Sequence, residues 1–186
     1  SIHINESLDD DELYTRANAL AHRLDPSRPT TGVRYISNSH LLEDVYSLND
    51  FTYSDCDPDA TKVFRGRQEA TGLTEPVPFL ITEFAGTAFP TKTWDSADKR
   101  TTHARAYARI FNQSALSKEM MGIIGWCAFD YNTHGDYGSG DKICYHGVMD
   151  MFRVPKYAAY VLRSQMDPEK EIVMEATTEF SRGDNK

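Results

Sequence analysis

The sequence has few cysteines: Cys56, Cys127 and Cys144 are the three among its 186 residues. Their number is odd and no two of them form a Cys-x-x-Cys pair, so neither a disulfide framework nor a zinc site is indicated. We therefore expect packed or free thiols and no bound metal.

Positive charge and long apolar runs are also scarce. The 20 lysines and arginines are outnumbered by 28 aspartates and glutamates, which gives a formal net charge of −8. Because nucleic-acid binding depends on clustered Lys and Arg, we expect no nucleic-acid partner. No apolar run approaches the roughly 18 residues of a membrane span, and the first residues lack the basic and apolar regions of a signal peptide. We expect no membrane partner.

Glycine-rich phosphate loops are missing too. Neither Gly-x-Gly-x-x-Gly nor Gly-x-x-x-x-Gly-Lys follows a predicted strand, which weakens every nucleotide-binding interpretation, and we expect no cofactor. The composition that is present, 40% hydrophobic and 26% charged, is typical of globular proteins. A chain of this length can bury one core.

Apolar runs alternate with helical spacings along the chain. Strands are predicted over residues 2–6, 31–36 and 44–48, over the run that ends at Glu83, and over 122–129. Helices are predicted from an N-cap at Ser7 to Asp25, over 61–69, from a cap at Asp95 or Ser96, and from Pro155 to Asp167. The third helix is expected to bury a stripe made of Ala104, Tyr107, Ala108, Phe111 and Ala115. Such alternation implies parallel strands joined by crossovers, so the predicted class is α/β. Periodicity alone does not distinguish an open sheet from part of a barrel.

The stretch from Pro78 to Gly86 carries the clearest functional signal. The apolar run Phe79–Ile81 is typical of a strand buried on both faces, and it places Glu83 at the strand's carboxyl end. In parallel α/β sheets that end is where chemistry is done, because the loops leaving it meet at one rim. The alternative for Glu83 alone is an acidic strand end that faces solvent.

A second carboxylate, Glu6, also ends a predicted strand. Parallel strands bring both carboxylates to one rim, which is the arrangement that a retaining glycosidase needs. In such enzymes one carboxylate attacks the sugar and the other protonates the leaving oxygen, at a separation of roughly 5–5.5 Å.

Three motifs extend this interpretation: residues 4–7 (Ile-Asn-Glu-Ser), 81–84 (Ile-Thr-Glu-Phe) and 125–131 (Gly-Trp-Cys-Ala-Phe-Asp-Tyr). With them the chain resembles glycoside hydrolase family 2, and within it the bacterial β-galactosidases, over almost its whole length. The resemblance implies strands four to eight of a (β/α)₈ TIM barrel, the C-terminal part of the catalytic domain. Residues 1–168 would be this partial barrel, and residues 169–186 a linker to a following β-sandwich-type domain.

The resemblance also implies the roles of two glutamates. Glu6 matches the acid/base after strand four, and Glu83 matches the nucleophile after strand seven. Asn5 matches the residue that hydrogen-bonds the 2-hydroxyl of the sugar. The implied reaction is hydrolysis of terminal non-reducing β-galactosides by double displacement, without a cofactor.

Other matches concern the walls of the implied site. Trp126 matches the aromatic floor under the sugar ring, and its alternative is a core tryptophan. Tyr53 matches the tyrosine that orients the nucleophile, with Phe51 as a competing position. His134 and Asp136 follow strand eight, where they either contact the sugar or belong to a solvated loop.

Two departures from the family pattern bear on the substrate. Family members that cleave glucuronides carry Asn-x-Lys before a Gly-Val pair, where this chain has Cys144-Tyr145-His146, so a glucuronide is disfavoured. Gly86 stands where the best-known β-galactosidases have a histidine. The alternatives left open are a β-mannosidase-like or other family-2 glycosidase, and a non-catalytic carbohydrate-binding or structural piece. We also expect self-association through exposed strand edges.

Overall fold

The structure, a computed structural model, describes residues 3–4, 10–34, 40–50, 74–84, 91–133, 135 and 140–177. These residues form two compact units. The first contains the described residues up to position 50 together with 74–84 and 113–125, and the second contains 91–112 and those from 126 onward. No helix among the described residues is long and apolar enough to cross a membrane.

The first unit is built on a five-stranded sheet in which every neighbouring pair is parallel. Its strands follow chain order: β1 (His3–Ile4), β2 (Thr31–Arg34), β3 (Val45–Asn49), β4 (Phe79–Glu83) and β5 (Met120–Ile123). The predicted α/β class is confirmed, because parallel neighbours in chain order require crossover connections.

The core of the first unit lies around β3 and β4. Tyr46 and Phe79 are opposite each other in the ladder and stack at 5.6 Å between ring centroids. Leu48 and Ile81 continue the same pair of strands and are fully buried. The apolar run before Glu83 therefore forms the predicted strand, but only Phe79 and Ile81, on one face, are buried, while Leu80 on the other face is half-buried.

Helix α1 (Asp11–Leu24) belongs to the same unit, and its start differs from the prediction. The N-cap is Asp10, whose side chain accepts a hydrogen bond from the Leu13 amide at 2.9 Å, and not Ser7. An aspartate is as good a cap as a serine, and here it stands directly before the first helical turn. The helix stops at Asp25, as predicted.

The predicted strand over residues 122–129 is wrong in its bounds, because β5 ends at Ile123. The Ile124 amide still donates to the Ile81 carbonyl of β4 at 2.8 Å, but further along the backbone has partners outside the sheet. The carbonyl groups of Cys127 and Ala128 accept hydrogen bonds from the amides of Val148 and Met149 at 3.0 Å. Backbone groups that are satisfied in this way have no need to continue the sheet.

The second unit holds most of helix α2 (Ala97–Leu116), the antiparallel pair β6 (Tyr131–Asn132) and β7 (Ile143–Cys144), and helix α3 (Tyr157–Arg163). The stripe predicted for α2 is only partly right, since Ala104 and Tyr107 are buried but Ala108 and Ala115 are exposed. His103 is buried in their place. The last helix ends at Arg163, before the predicted stop at Asp167.

Candidate active site

Glu83 is the last residue of β4, at the carboxyl end of a strand with parallel neighbours on both sides. Its side chain is half-buried, and Oε2 accepts a hydrogen bond from Nδ2 of Asn49 at 2.9 Å. Asn49 ends the neighbouring strand β3 and is 3% exposed. The carboxylate is therefore held by a buried amide and does not simply face solvent.

An irregularity in the strand pairing brings these groups together. Leu48 is opposite Ile81, but the next residue, Asn49, is opposite Glu83, so Thr82 is an extra residue in β4. This is the two-against-one count of a β-bulge, a feature that redirects side chains and is frequent beside active sites.

Thr82 also contacts the buried amide. Its Oγ1 donates a hydrogen bond to Oδ1 of Asn49 at 2.9 Å. An amide whose oxygen accepts from Thr82 presents its NH₂ group to Glu83, so the two hydrogen bonds fix one orientation of the Asn49 side chain. The amide of Asp50 donates to the Glu83 carbonyl at 2.9 Å and continues the ladder beyond the bulge.

Sequence reasoning missed Asn49 and Thr82. A weak signal was available, since both are polar residues at the carboxyl ends of predicted strands, where parallel sheets collect functional groups. Nothing in the sequence, however, indicated that the two strands pair with a bulge.

Trp126 lies in the second unit and is 41% exposed. Its Nε1 donates a hydrogen bond to the Tyr131 hydroxyl at 3.2 Å, and the two rings meet edge to face at 6.1 Å. An indole held in this way and partly open to solvent is suited to pack against the C–H face of a sugar.

The second unit also contains a buried ion pair between Lys156 and Asp130. Lys156 Nζ lies 2.6 Å from Oδ1 of Asp130, and both side chains are 2% exposed. The Gly147 amide also donates to Asp130, and Lys156 donates to the Tyr145 carbonyl. Burial raises the pKa of the Asp130 carboxyl, against the effect of Lys156, and lowers the pKa of the Lys156 ammonium.

Two buried histidines in the same unit are uncharged at neutral pH. Burial, with the charge of Lys156 as a smaller cause, lowers the pKa of His146 to about 4. Burial, followed by the charges of Lys156 and His146, lowers the pKa of His103 to about 3. The position that precedes Gly147-Val148 therefore offers no cation to a ligand.

Several predicted site residues lie outside the described residues: Asn5, Glu6, Phe51, Tyr53, Gly86, His134 and Asp136. The separation of Glu6 from Glu83 accordingly stays a prediction. Within the part of the chain that the structure describes, no three His, Cys, Asp or Glu side chains form a group able to hold a metal ion.

Comparison with curated proteins shows relatives along nearly the whole chain. A beta-galactosidase of Thermoanaerobacterium thermosulfurigenes is 51% identical over 183 residues, which are 98% of this chain and 25% of that protein. A beta-galactosidase of Thermoanaerobacter pseudethanolicus is 47% identical over 167 residues, 90% of this chain and 21% of that protein. The resemblance to β-galactosidases is thus confirmed, and the chain spans about a quarter of the length of these relatives. No protein-family profile matches the sequence.

Solved structures with a similar fold are glycoside hydrolase family 2 enzymes and β-glucuronidases. A family-2 beta-galacturonidase of Eisenbergiella tayi has a TM-score of 0.62 at 20% identity, and the match covers 93% of this chain and 33% of the galacturonidase chain. A beta-glucuronidase of Parabacteroides merdae has a TM-score of 0.60 at 19% identity, and the match covers 86% of this chain and 22% of the glucuronidase chain. At these identities the likeness concerns the fold alone.

Proposed function

We propose that this chain is the C-terminal part of the (β/α)₈ catalytic barrel of a bacterial family-2 β-galactosidase, a retaining glycoside hydrolase. The observation that carries the proposal is the 51% identity to a beta-galactosidase over 98% of the chain. The activity, the substrate and the mechanism are those proposed for the whole protein of which these residues form a part.

The sheet supports the barrel assignment. Its five described strands follow chain order, each parallel to the one before it. Barrels of this kind add strands in one direction, whereas doubly wound sheets reverse their strand order and bind ligands where the order changes. A sheet without a reversal is therefore better explained as an arc of a barrel.

Glu83 is proposed as the nucleophile and Glu6 as the acid/base. A carboxylate oxygen of Glu83 forms a bond to the anomeric carbon, the glycosidic C–O bond breaks, and the leaving oxygen takes its proton from Glu6. Water then attacks the same carbon, and one of its protons passes to Glu6. The bond between that carbon and Glu83 breaks, which releases the Glu83 carboxylate. Asn5 would bind the 2-hydroxyl, Trp126 the apolar face of the sugar, and Tyr53 would orient the nucleophile.

A neutral sugar is favoured over a uronic acid. The relatives along the full chain bear the name beta-galactosidase. In addition, His146 is buried and its pKa is lowered to about 4, so it supplies no positive charge for a sugar carboxylate at neutral pH. We propose terminal β-galactosides as the substrate class.

The test is covalent trapping on the full-length protein that contains this chain. With 2,4-dinitrophenyl 2-deoxy-2-fluoro-β-galactoside, Glu83 attacks the anomeric carbon and dinitrophenolate leaves with the bonding electron pair. The expected result is one burst of dinitrophenolate and one labelled peptide, which contains Glu83.

Glu83→Ala should abolish both the burst and turnover, while Glu75→Ala, a control for an exposed carboxylate before the same strand, should keep both. Labelling at Glu6 would reverse the two roles. Faster hydrolysis of an aryl β-mannoside or β-glucuronide than of the β-galactoside would overturn the substrate, and no hydrolysis of any of the three would favour a non-catalytic role.

A further inference from the structure

We propose that Asn49 is a positioning residue that holds the Glu83 carboxylate ready for attack, and that the bulge at Thr82 makes this contact possible. Thr82, Asn49 and Glu83 are called the Asn49 clamp below. The inference rests on the proposed function, because it assigns to Glu83 the role of nucleophile.

The first argument is the register of β3 and β4. In a regular ladder successive side chains point to opposite faces of the sheet, so Thr82 and Glu83 could not both reach one residue of β3. With Thr82 as the extra residue, Oγ1 of Thr82 and Oε2 of Glu83 each lie 2.9 Å from the Asn49 amide group. The bulge is thus the structural cause of the clamp.

The second argument is the direction of the hydrogen bonds. Thr82 donates to Oδ1 of Asn49, and Asn49 donates through Nδ2 to Glu83. This series of hydrogen bonds ends on the Glu83 carboxylate. An ionised carboxylate has no proton to donate, so it can only accept hydrogen bonds. The Asn49 NH₂ group is thus a partner of the kind that an ionised Glu83, the form that a nucleophile requires, is able to use.

The third argument is rigidity. Asn49 is 3% exposed and stands in a strand that is buried along its whole length. A buried amide with both ends engaged does not change its rotamer freely, so the bond to Oε2 restricts rotation of the carboxylate plane. Attack on an anomeric carbon needs one such orientation, and a misplacement of about 1 Å can cost on the order of 100-fold in rate.

The experiment measures the first chemical step alone, in the full-length protein. The rate constant and the half-saturation concentration of the dinitrophenolate burst are determined with the same fluorinated galactoside for wild type, Asn49→Ala, Thr82→Val and Ser47→Ala. Ser47 is the matched control, because it is a buried polar residue of β3 whose hydroxyl bonds Thr31 and not Glu83.

For Asn49→Ala we expect the burst rate constant to fall by about 10–100-fold while the half-saturation concentration stays within about twofold. Thr82→Val keeps the shape of the side chain but releases the amide oxygen, so a smaller fall of about 3–10-fold is expected, on the scale of one hydrogen bond. Ser47→Ala should leave the rate constant within about twofold, even if it lowers the melting temperature as much as Asn49→Ala does.

The outcomes separate the two proposals. If wild type is labelled at Glu83 but Asn49→Ala slows the burst no more than Ser47→Ala, the clamp is overturned and the proposed function stands. If wild type is not labelled at Glu83, the proposed function is overturned, and the role of the clamp is overturned with it. A loss in Asn49→Ala that appears only in the half-saturation concentration would show substrate binding and would also overturn the positioning role.

Discussion

At the scale of single residues, Gly147 stands at a point where the backbone leaves no room for a side chain. A Cβ at this position would lie 2.3 Å from the Asp130 nitrogen, 2.3 Å from the Phe129 carbonyl carbon and 2.4 Å from the Met149 carbonyl oxygen. All three atoms are backbone, so none can move aside cheaply. The glycine lets the chain approach closely enough for its amide to bond Asp130.

Gly147→Ala should therefore destabilise the second unit by about 3 kcal/mol or more, at the upper end for overpacking. Gly140→Ala is the control, because Gly140 has φ +78 but nothing within 4 Å of an added Cβ. It should cost only about 1–2 kcal/mol, the conformational penalty of a left-handed residue. Urea titration of the full-length protein, followed by limited proteolysis, measures both, and equal losses would refute the steric explanation.

The two buried histidines predict a pH dependence of stability. Their pKa values in the folded chain are about 3 for His103 and about 4 for His146, below the ordinary value of 6.5. Between these values the unfolded chain binds more protons than the folded one. Stability is therefore complete above about pH 6.5 and falls as the pH drops toward 4, by up to about 1.4 kcal/mol per pH unit for each histidine.

Urea titrations of the full-length protein at pH 7, 6 and 5 test this dependence. His146→Gln removes one of the two titrating groups, so its stability should fall less steeply over the same range. A variant that loses stability with the same slope as wild type would contradict the assignment to His146.

At the scale of elements, a salt bridge connects the start of α3 to the residue before β6. Lys156 is the N-cap residue of α3, and its ammonium is paired with Asp130 just before β6. The pair is buried, so removing one partner leaves an uncompensated charge in a poorly solvated place. The pair consequently fixes the position at which the helix begins.

Lys156→Met should destabilise the protein by about 3–5 kcal/mol at pH 7, because Asp130 would remain buried without its cation. The double variant with Asp130→Asn should recover much of this loss, since no charge is then buried. Lys99→Met breaks a partly exposed pair with Asp95 and should cost about 0–1 kcal/mol. A loss in Lys156→Met no larger than in Lys99→Met would show that the buried pair does not anchor the helix.

At the scale of the whole molecule, the described sheet ends in β1 on one side and β5 on the other. Among the described residues β5 pairs with β4 alone, and it is flanked by exposed apolar side chains, since Met121 is 62% and Ile124 is 53% exposed. Unpaired strand edges of this kind associate with other chains.

The isolated polypeptide of residues 1–186 should therefore self-associate, through a β5 edge that is shorter than the predicted strand over 122–129. Size-exclusion chromatography with light scattering gives the mass directly. Met121→Lys together with Ile124→Lys should reduce the association, because charges block edge pairing. A monomeric mass for the isolated polypeptide would contradict this prediction.

The sequence predicted those parts of the fold that depend on local composition. The apolar run before Glu83 predicted a strand, and Asp25 before a proline predicted the end of α1. Features that depend on pairing between distant segments could not be predicted from the sequence. No local pattern indicates that Thr82 is an extra residue opposite β3, or that the backbone of Cys127 and Ala128 bonds residues 148 and 149.

The candidate site shows the same division. The place of Glu83 at the end of a strand was predictable from the apolar run before it, and Trp126 was named through its motif, while the roles of both stay predictions. Asn49 acquires its role only through the register of two strands. The burial of His103, in place of the expected alanines of α2, likewise depends on what the helix packs against and not on its own spacing.

Because the Lys156 side chain is buried, its rate of chemical labelling measures how often the second unit opens. Reagents that acylate amines react with accessible lysine side chains through the uncharged amine, and the Lys170 side chain, 79% exposed, is open to them at once. The Lys156 side chain, 2% exposed, meets the reagent only in molecules whose second unit has opened. The fraction of Lys156 acylated over time, read by mass spectrometry against Lys170, therefore counts the opening events of this unit in the folded protein.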